Sequence, residues 1–174
     1  MKRLFLSTTI ILASIATSMA QTIYVCKDGD YTTREIAEGL ELSLTEGIDS
    51  ITFRQPVMEK AVKITFQEDK ASVVIPSFIE GVTCSSGTSS DVVLTSTNLT
   101  DEIIYRVSGS SRAGSLTING DYKLTVALNG VSLTSAKGAP LNIQCGKRIA
   151  VVMADGSVNN FTDAAGGTNK ACVY

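Results

Sequence analysis

From residue 22 onward, apolar and polar positions alternate with period two in short runs, the pattern of half-buried strands. Residues 23–26 read as a strand, Asp28-Gly29 as a tight hairpin turn that needs positive φ, and 31–36 as the partner strand. Leu40, Leu42 and Leu44 alternate as in a strand, while Ile36, Leu40 and Leu44 also fit helical spacing; Gly39 weighs against the helix. Residues 50–53 form another short strand, and Pro56 marks a boundary. Beyond it Val62, Ile64 and Phe66 alternate with Lys63 and Thr65. The chain turns at 67–70, then Ala71, Val73 and Ile75 return, and Pro76 stops the strand. Strands at 82–84, 92–95 and 103–107 follow.

The segment 108–114, rich in Ser and Gly, reads as a second junction. After it the strands become short and closely spaced, at 116–118, 124–128, 131–133, 141–143 and 149–153. The dipeptides Asn119-Gly120, Asn129-Gly130 and Asp155-Gly156 stand between them as turns. The stretch 124–134 resembles 149–158 about 25 residues later, and Cys145 and Cys172 are spaced similarly. This repeat fits a solenoid whose coils stack on one another; an antiparallel meander with Asn-Gly turns fits it too.

The N-terminus changes what these strands are for. Lys2 and Arg3 precede an uncharged apolar or small stretch through Ala16, and Ser18-Met19-Ala20 places small residues at the −3 and −1 positions of a cut before Gln21. That is a secretory signal at 1–20, too short and too rich in Ser and Thr to anchor well in roughly 30 Å of hydrocarbon. The expected organisation is therefore a signal peptide at 1–20, a β-hairpin module at 21–56, a β-rich domain or cap at 57–114 and a repeat region at 115–174. The whole chain has 15 cationic against 17 acidic side chains; without Lys2 and Arg3 the balance is 13 against 17, or −4. No basic stretch marks a nucleic-acid or anionic-membrane partner, and no second segment approaches membrane-spanning length.

Cys26, Cys84, Cys145 and Cys172 make no CxxC pair, and there is no histidine. A Cys/His zinc site is not expected, and His-dependent catalysis is excluded. Export permits disulfides; buried free thiols fit the sparse spacing equally.

Two motifs carry a resemblance. Leu128 to Ser135 and Ile149 to Asp163 match an L-x-G-V-x-L-T-S coil followed by an I-x-V-x-L-x-D-G-x-x-N-x-x-x-D coil, with Met153 in place of the usual Leu. Residues 115–163 thereby resemble the first coils of a secreted bacterial carbohydrate-binding family. The family is a right-handed parallel β-helix of pectate-lyase-like shape that binds acidic plant polysaccharide and holds calcium. Residues 23–53, ending in Asp49-Ser50-Ile51-Thr52-Phe53, resemble a leader module of surface and secreted proteins of Gram-negative anaerobes. The resemblance implies an all-β protein: a small N-terminal β-module, then the first coils of the β-helix. The implied function is non-catalytic binding of an acidic polysaccharide, in the periplasm, at the surface or in the medium. Because the chain stops at Ala171-Cys172-Val173-Tyr174, inside an apolar strand, it reads as an N-terminal fragment of a longer solenoid.

Candidate site residues follow, each with a plainer alternative. Asp155 and Asp163, with Asp121, suit oxygen ligation of calcium or simply turn formation beside Gly. Arg148, beside Lys147, suits a bidentate contact to a uronate carboxylate or a solvated loop. Tyr122, with Tyr105, Phe161 and Tyr174, suits sugar stacking or core and edge packing. Asn98 and Asn160 head glycosylation sequons that are accidental in a bacterial protein. Asn129 starts no asparagine ladder, because its match one repeat later is Ala154. Two other functions stay open: a lyase-like β-helix enzyme acting on uronates, and a structural or adhesive surface protein.

Overall fold

The computed structural model describes residues 9–11, 22–35, 41–43, 48–85, 89–165 and 171–174. Fifteen strands and no helix are found among them. In chain order they are β1 (Thr9–Ile11), β2 (Thr22–Lys27), β3 (Asp30–Glu35), β4 (Glu41–Ser43), β5 (Ser50–Thr52), β6 (Ala61–Gln67), β7 (Lys70–Val74) and β8 (Val82–Cys84). They continue as β9 (Asp91–Ser96), β10 (Ile103–Ser111), β11 (Ser115–Gly120), β12 (Leu124–Thr134), β13 (Leu141–Cys145), β14 (Ile149–Met153) and β15 (Asn160–Thr162). The described chain is all-β. It divides into two compact units, Met1–Glu59 and Lys60–Tyr174.

In the first unit, β2 lies between β3 and β5 in an antiparallel sheet. Asp28 (φ 53°) and Gly29 (φ 83°) make the β2–β3 turn in the conformation that an Asp-Gly pair favours. The Asp49 carboxylate accepts the Asp28 N–H at 2.8 Å and so ties that turn to the entry of β5. Ile23 is fully buried, and the Tyr24 and Tyr31 rings meet edge-on with centroids 5.4 Å apart. Separately, β1 pairs antiparallel with β4, so the extended reading holds at 41–43. The rest of the expected signal segment, its cleavage site, Gly39, Leu40 and Leu44 lie outside the described residues.

The second unit has two sheets, in orders β14-β12-β10-β6-β7 and β13-β11-β9-β8, with β15 beside the second half of β12. Strands β6, β10, β12 and β14 are mutually parallel, as are β9, β11 and β13; β7 and β8 close one side of each sheet as antiparallel hairpin partners. From β9 onward the chain passes from one sheet to the other at each strand, through β14. Paired residues are 21 positions apart at Ile103 and Leu124, 25 at Leu124 and Ile149, 24 at Val92 and Leu116, and 25 at Leu116 and Leu141. The repeated stretches 124–128 and 149–153 are thus neighbouring strands in register, Leu124 with Ile149 through Leu128 with Met153.

Alternation supplies the core. Val62, Ile64 and Phe66 of β6, Ile103, Tyr105 and Val107 of β10, and Leu124, Val126 and Leu128 of β12 point inward from one sheet. Val92, Leu94, Leu116, Ile118 and Leu141 meet them from the other. The buried hydroxyls find partners at the corners: Ser90 donates to the Ala113 carbonyl at 3.1 Å, and Ser135 accepts the Lys137 and Gly138 N–H groups at 3.2 Å.

Two expected breaks are strand. β10 runs through Ser111, across part of the expected 108–114 junction, and β12 runs unbroken through Asn129-Gly130. Ser108 pairs with Asn129 and Gly109 with Val131, so Gly130 is an extra residue in a bulge and not a chain reversal. An Asn-Gly pair permits positive φ in either setting, and the neighbouring strand decides which one occurs. The boundary expected between 114 and 115 falls inside the second unit, where β10 and β12 share a sheet.

Candidate functional site

The outward face of the larger sheet carries a groove of about 330 Å³ that crosses β6, β10, β12 and β14. Strand register assembles it. One outward row reads Lys63, Arg106, Ala127 and Val152; the next reads Thr65, Ser108 and Asn129, with Ala154 lining the far side. Adjacent strands are about 4.8 Å apart, so four of them give a track roughly 14 Å long. Two cationic side chains therefore stand side by side at one end. Ala127 and Val152 supply an apolar floor toward the other. The Thr65 and Ser108 hydroxyls are 3.4 Å apart, at one edge, near the exposed Asn129.

The candidates named from sequence lie elsewhere. Arg148 is exposed at a corner of the coil, where its guanidinium donates to Glu102 at 2.9 Å. Glu102 also accepts the Thr125 hydroxyl at 2.8 Å and lies 3.8 Å from the Lys123 ammonium. The Thr125 hydrogen bond, and then Arg148 and Lys123, hold the Glu102 carboxyl below its usual range, against the opposing pull of burial. Lys60, at 2.5 Å, is the main cause of a similar lowering at Asp101. Tyr122 is half-buried at the same corner, with the Lys123 ammonium 5.6 Å from its ring centroid, and its carbonyl accepts the Cys145 thiol at 3.1 Å.

Of the other aromatics, Tyr105 is no sugar platform: it is 1% exposed and among the largest fully buried side chains. Burial raises its phenol pKa, partly offset by a hydrogen bond with Ser96. Phe161 packs against the core, and Tyr174 is exposed. Asp121 and Asp155 are exposed, and the half-buried Asp163 accepts the Ala164 N–H at 2.8 Å. Among the described residues no three His, Cys, Asp or Glu side chains gather closely enough to hold a metal ion. The donor set thus offers no calcium site built on side chains, and no step is drawn through calcium. All four cysteines are half-buried free thiols.

Sequence reasoning missed Lys63, Arg106, Ser108 and Asn129. Alternation marks them as outward-facing. Which strands lie next to one another was legible only for 124–128 and 149–153, through their repeat.

Residues 90–174 match the model of a family described as carbohydrate-binding domain-containing protein. The match takes in Arg106, Ser108, Asn129 and Val152 of the groove, whereas Lys63 and Thr65 precede it. No curated protein and no solved structure matches the chain.

Proposed function

We propose that this chain is an exported, non-catalytic carbohydrate-binding protein that holds an acidic polysaccharide along the groove of a right-handed parallel β-helix. The carrying observation is the pair Lys63 and Arg106, set in register beside hydroxyl and amide groups over an apolar floor. A guanidinium takes a sugar carboxylate in a bidentate contact, an ammonium adds a point charge, and Thr65, Ser108 and Asn129 suit sugar hydroxyls. Ala127 and Val152 suit the C–H face of a sugar ring. The family match over 90–174 supports carbohydrate as the ligand class. Strands that alternate between two parallel sheets every 21 to 25 residues support the β-helix. Its hand follows from the right-handedness of nearly all parallel crossovers. Export rests on the cationic start, the apolar run and Ser18-Met19-Ala20.

Affinity electrophoresis tests the reading. Migration should be retarded in gels containing polygalacturonate and not in gels containing dextran, with less retardation at higher salt. The double change Lys63→Ala and Arg106→Ala should weaken retention about tenfold, near 1.4 kcal/mol, with the thermal midpoint held. Equal retardation by both polymers, or none, sinks the acidic-polysaccharide reading. A larger loss from Arg148→Ala than from the groove changes would move the site to the corner.

A further inference from the structure

β14 is an edge strand, hydrogen-bonded to β12 on one side. Its residues Ile149, Val151 and Met153 continue the inward row of Leu124, Val126 and Leu128. The β12 residues are 3%, 0% and 4% exposed; those of β14 are 37%, 49% and 69% exposed. Its other face carries only Ala150 and Val152. The strand therefore has none of the charges, prolines or bulges with which edges usually discourage pairing. In the smaller sheet Val173, bridged to Leu141, is 47% exposed and Tyr174 61% exposed.

We propose that β14 pairs antiparallel with β14 of a second copy of this chain, about a two-fold axis at Val151. The flanking charges select this occupant and this direction. Lys147 and Arg148 precede the strand and Asp155 follows it. With Val151 on the axis, Ile149 faces Met153 of the second copy, Ala150 faces Val152, and Lys147 faces Asp155, each pair occurring twice. Arg148, engaged with Glu102, faces the neutral Ala154. A parallel pairing in register would instead set Lys147 against Lys147 and Asp155 against Asp155, and it would not close on itself. The antiparallel arrangement joins the two exposed inward rows into one apolar layer and satisfies both strand edges. It is independent of what the groove binds.

Sedimentation equilibrium of the whole chain, from about 1 to 500 μM, should show a monomer–dimer equilibrium with a midpoint in the tens of micromolar, as suits a small interface. Asp155→Lys, an exposed turn change that leaves the core alone, should weaken the dimer about tenfold, and so should Lys147→Asp. The double swap should restore it to within about threefold, because the pairs re-form with reversed sign. Val151→Lys, which sets two ammonium groups across the axis, should leave only monomer, with circular dichroism confirming retained strand. A monomer at every concentration overturns the proposal. So does a dimer indifferent to the single swaps, a double swap that fails to rescue, or open-ended assembly.

Discussion

A methyl group added at Gly109 would run into the Phe66 carbonyl oxygen of the neighbouring β6, and its backbone already sits at φ +84°. At Gly130, φ is +68° and nothing lies within 4 Å of where a Cβ would stand. Gly109→Ala should therefore cost about 3 kcal/mol, from left-handed strain plus steric overlap, and Gly130→Ala about 1 kcal/mol, from strain alone. Urea unfolding of the two variants checks the ranking; equal costs would mean the bulge relaxes without regard to β6. In sequence the two look alike, each a glycine after a small polar residue. Only the strand alongside distinguishes them. Tyr105 teaches the same lesson: an aromatic in an alternating strand suits either face, and it lies inside with its phenol bonded to Ser96.

Glu102, Lys123 and Arg148 each stand one residue before a strand, and the register of Ile103, Leu124 and Ile149 stacks them at one corner. Glu102 and Arg148 are 46 residues apart in sequence, so no local pattern announced their ion pair. Because the Glu102 carboxyl is lowered, chiefly by Thr125, its contribution to stability is complete above the ordinary value of 4.5 and is lost as pH falls through the lowered value. Asp101, lowered chiefly by Lys60, acts in the same direction from its ordinary value of 3.8. Glu102→Gln should flatten the acid limb of the urea midpoint between about pH 5 and pH 3. An unchanged limb would show that the corner pairs add nothing measurable. The β6–β7 hairpin, by contrast, was legible in full, because its alternation, its turn and Pro76 are contiguous in the chain.

Across the molecule, stability should fall from the middle of the larger sheet to its edges. β10 and β12 have hydrogen-bonded neighbours on both sides, whereas β7 and β14 have one. Amide exchange on dilute protein should be slowest in β10 and β12 and fastest at β14. Raising the concentration should slow β14 selectively if it pairs with a second copy; uniform protection would contradict this gradient. The sequence by itself determined the strand content, the inward and outward alternation, the Asp28-Gly29 turn and the 25-residue repeat. These rest on side-chain period and local backbone preference, which neighbouring residues settle. Only the tertiary structure decided that Asn129-Gly130 is a bulge, that β10 continues through Ser108, and that Lys63 and Arg106 stand together. Parallel pairing joins strands through long crossovers, and which residues then become neighbours is set by how whole coils stack.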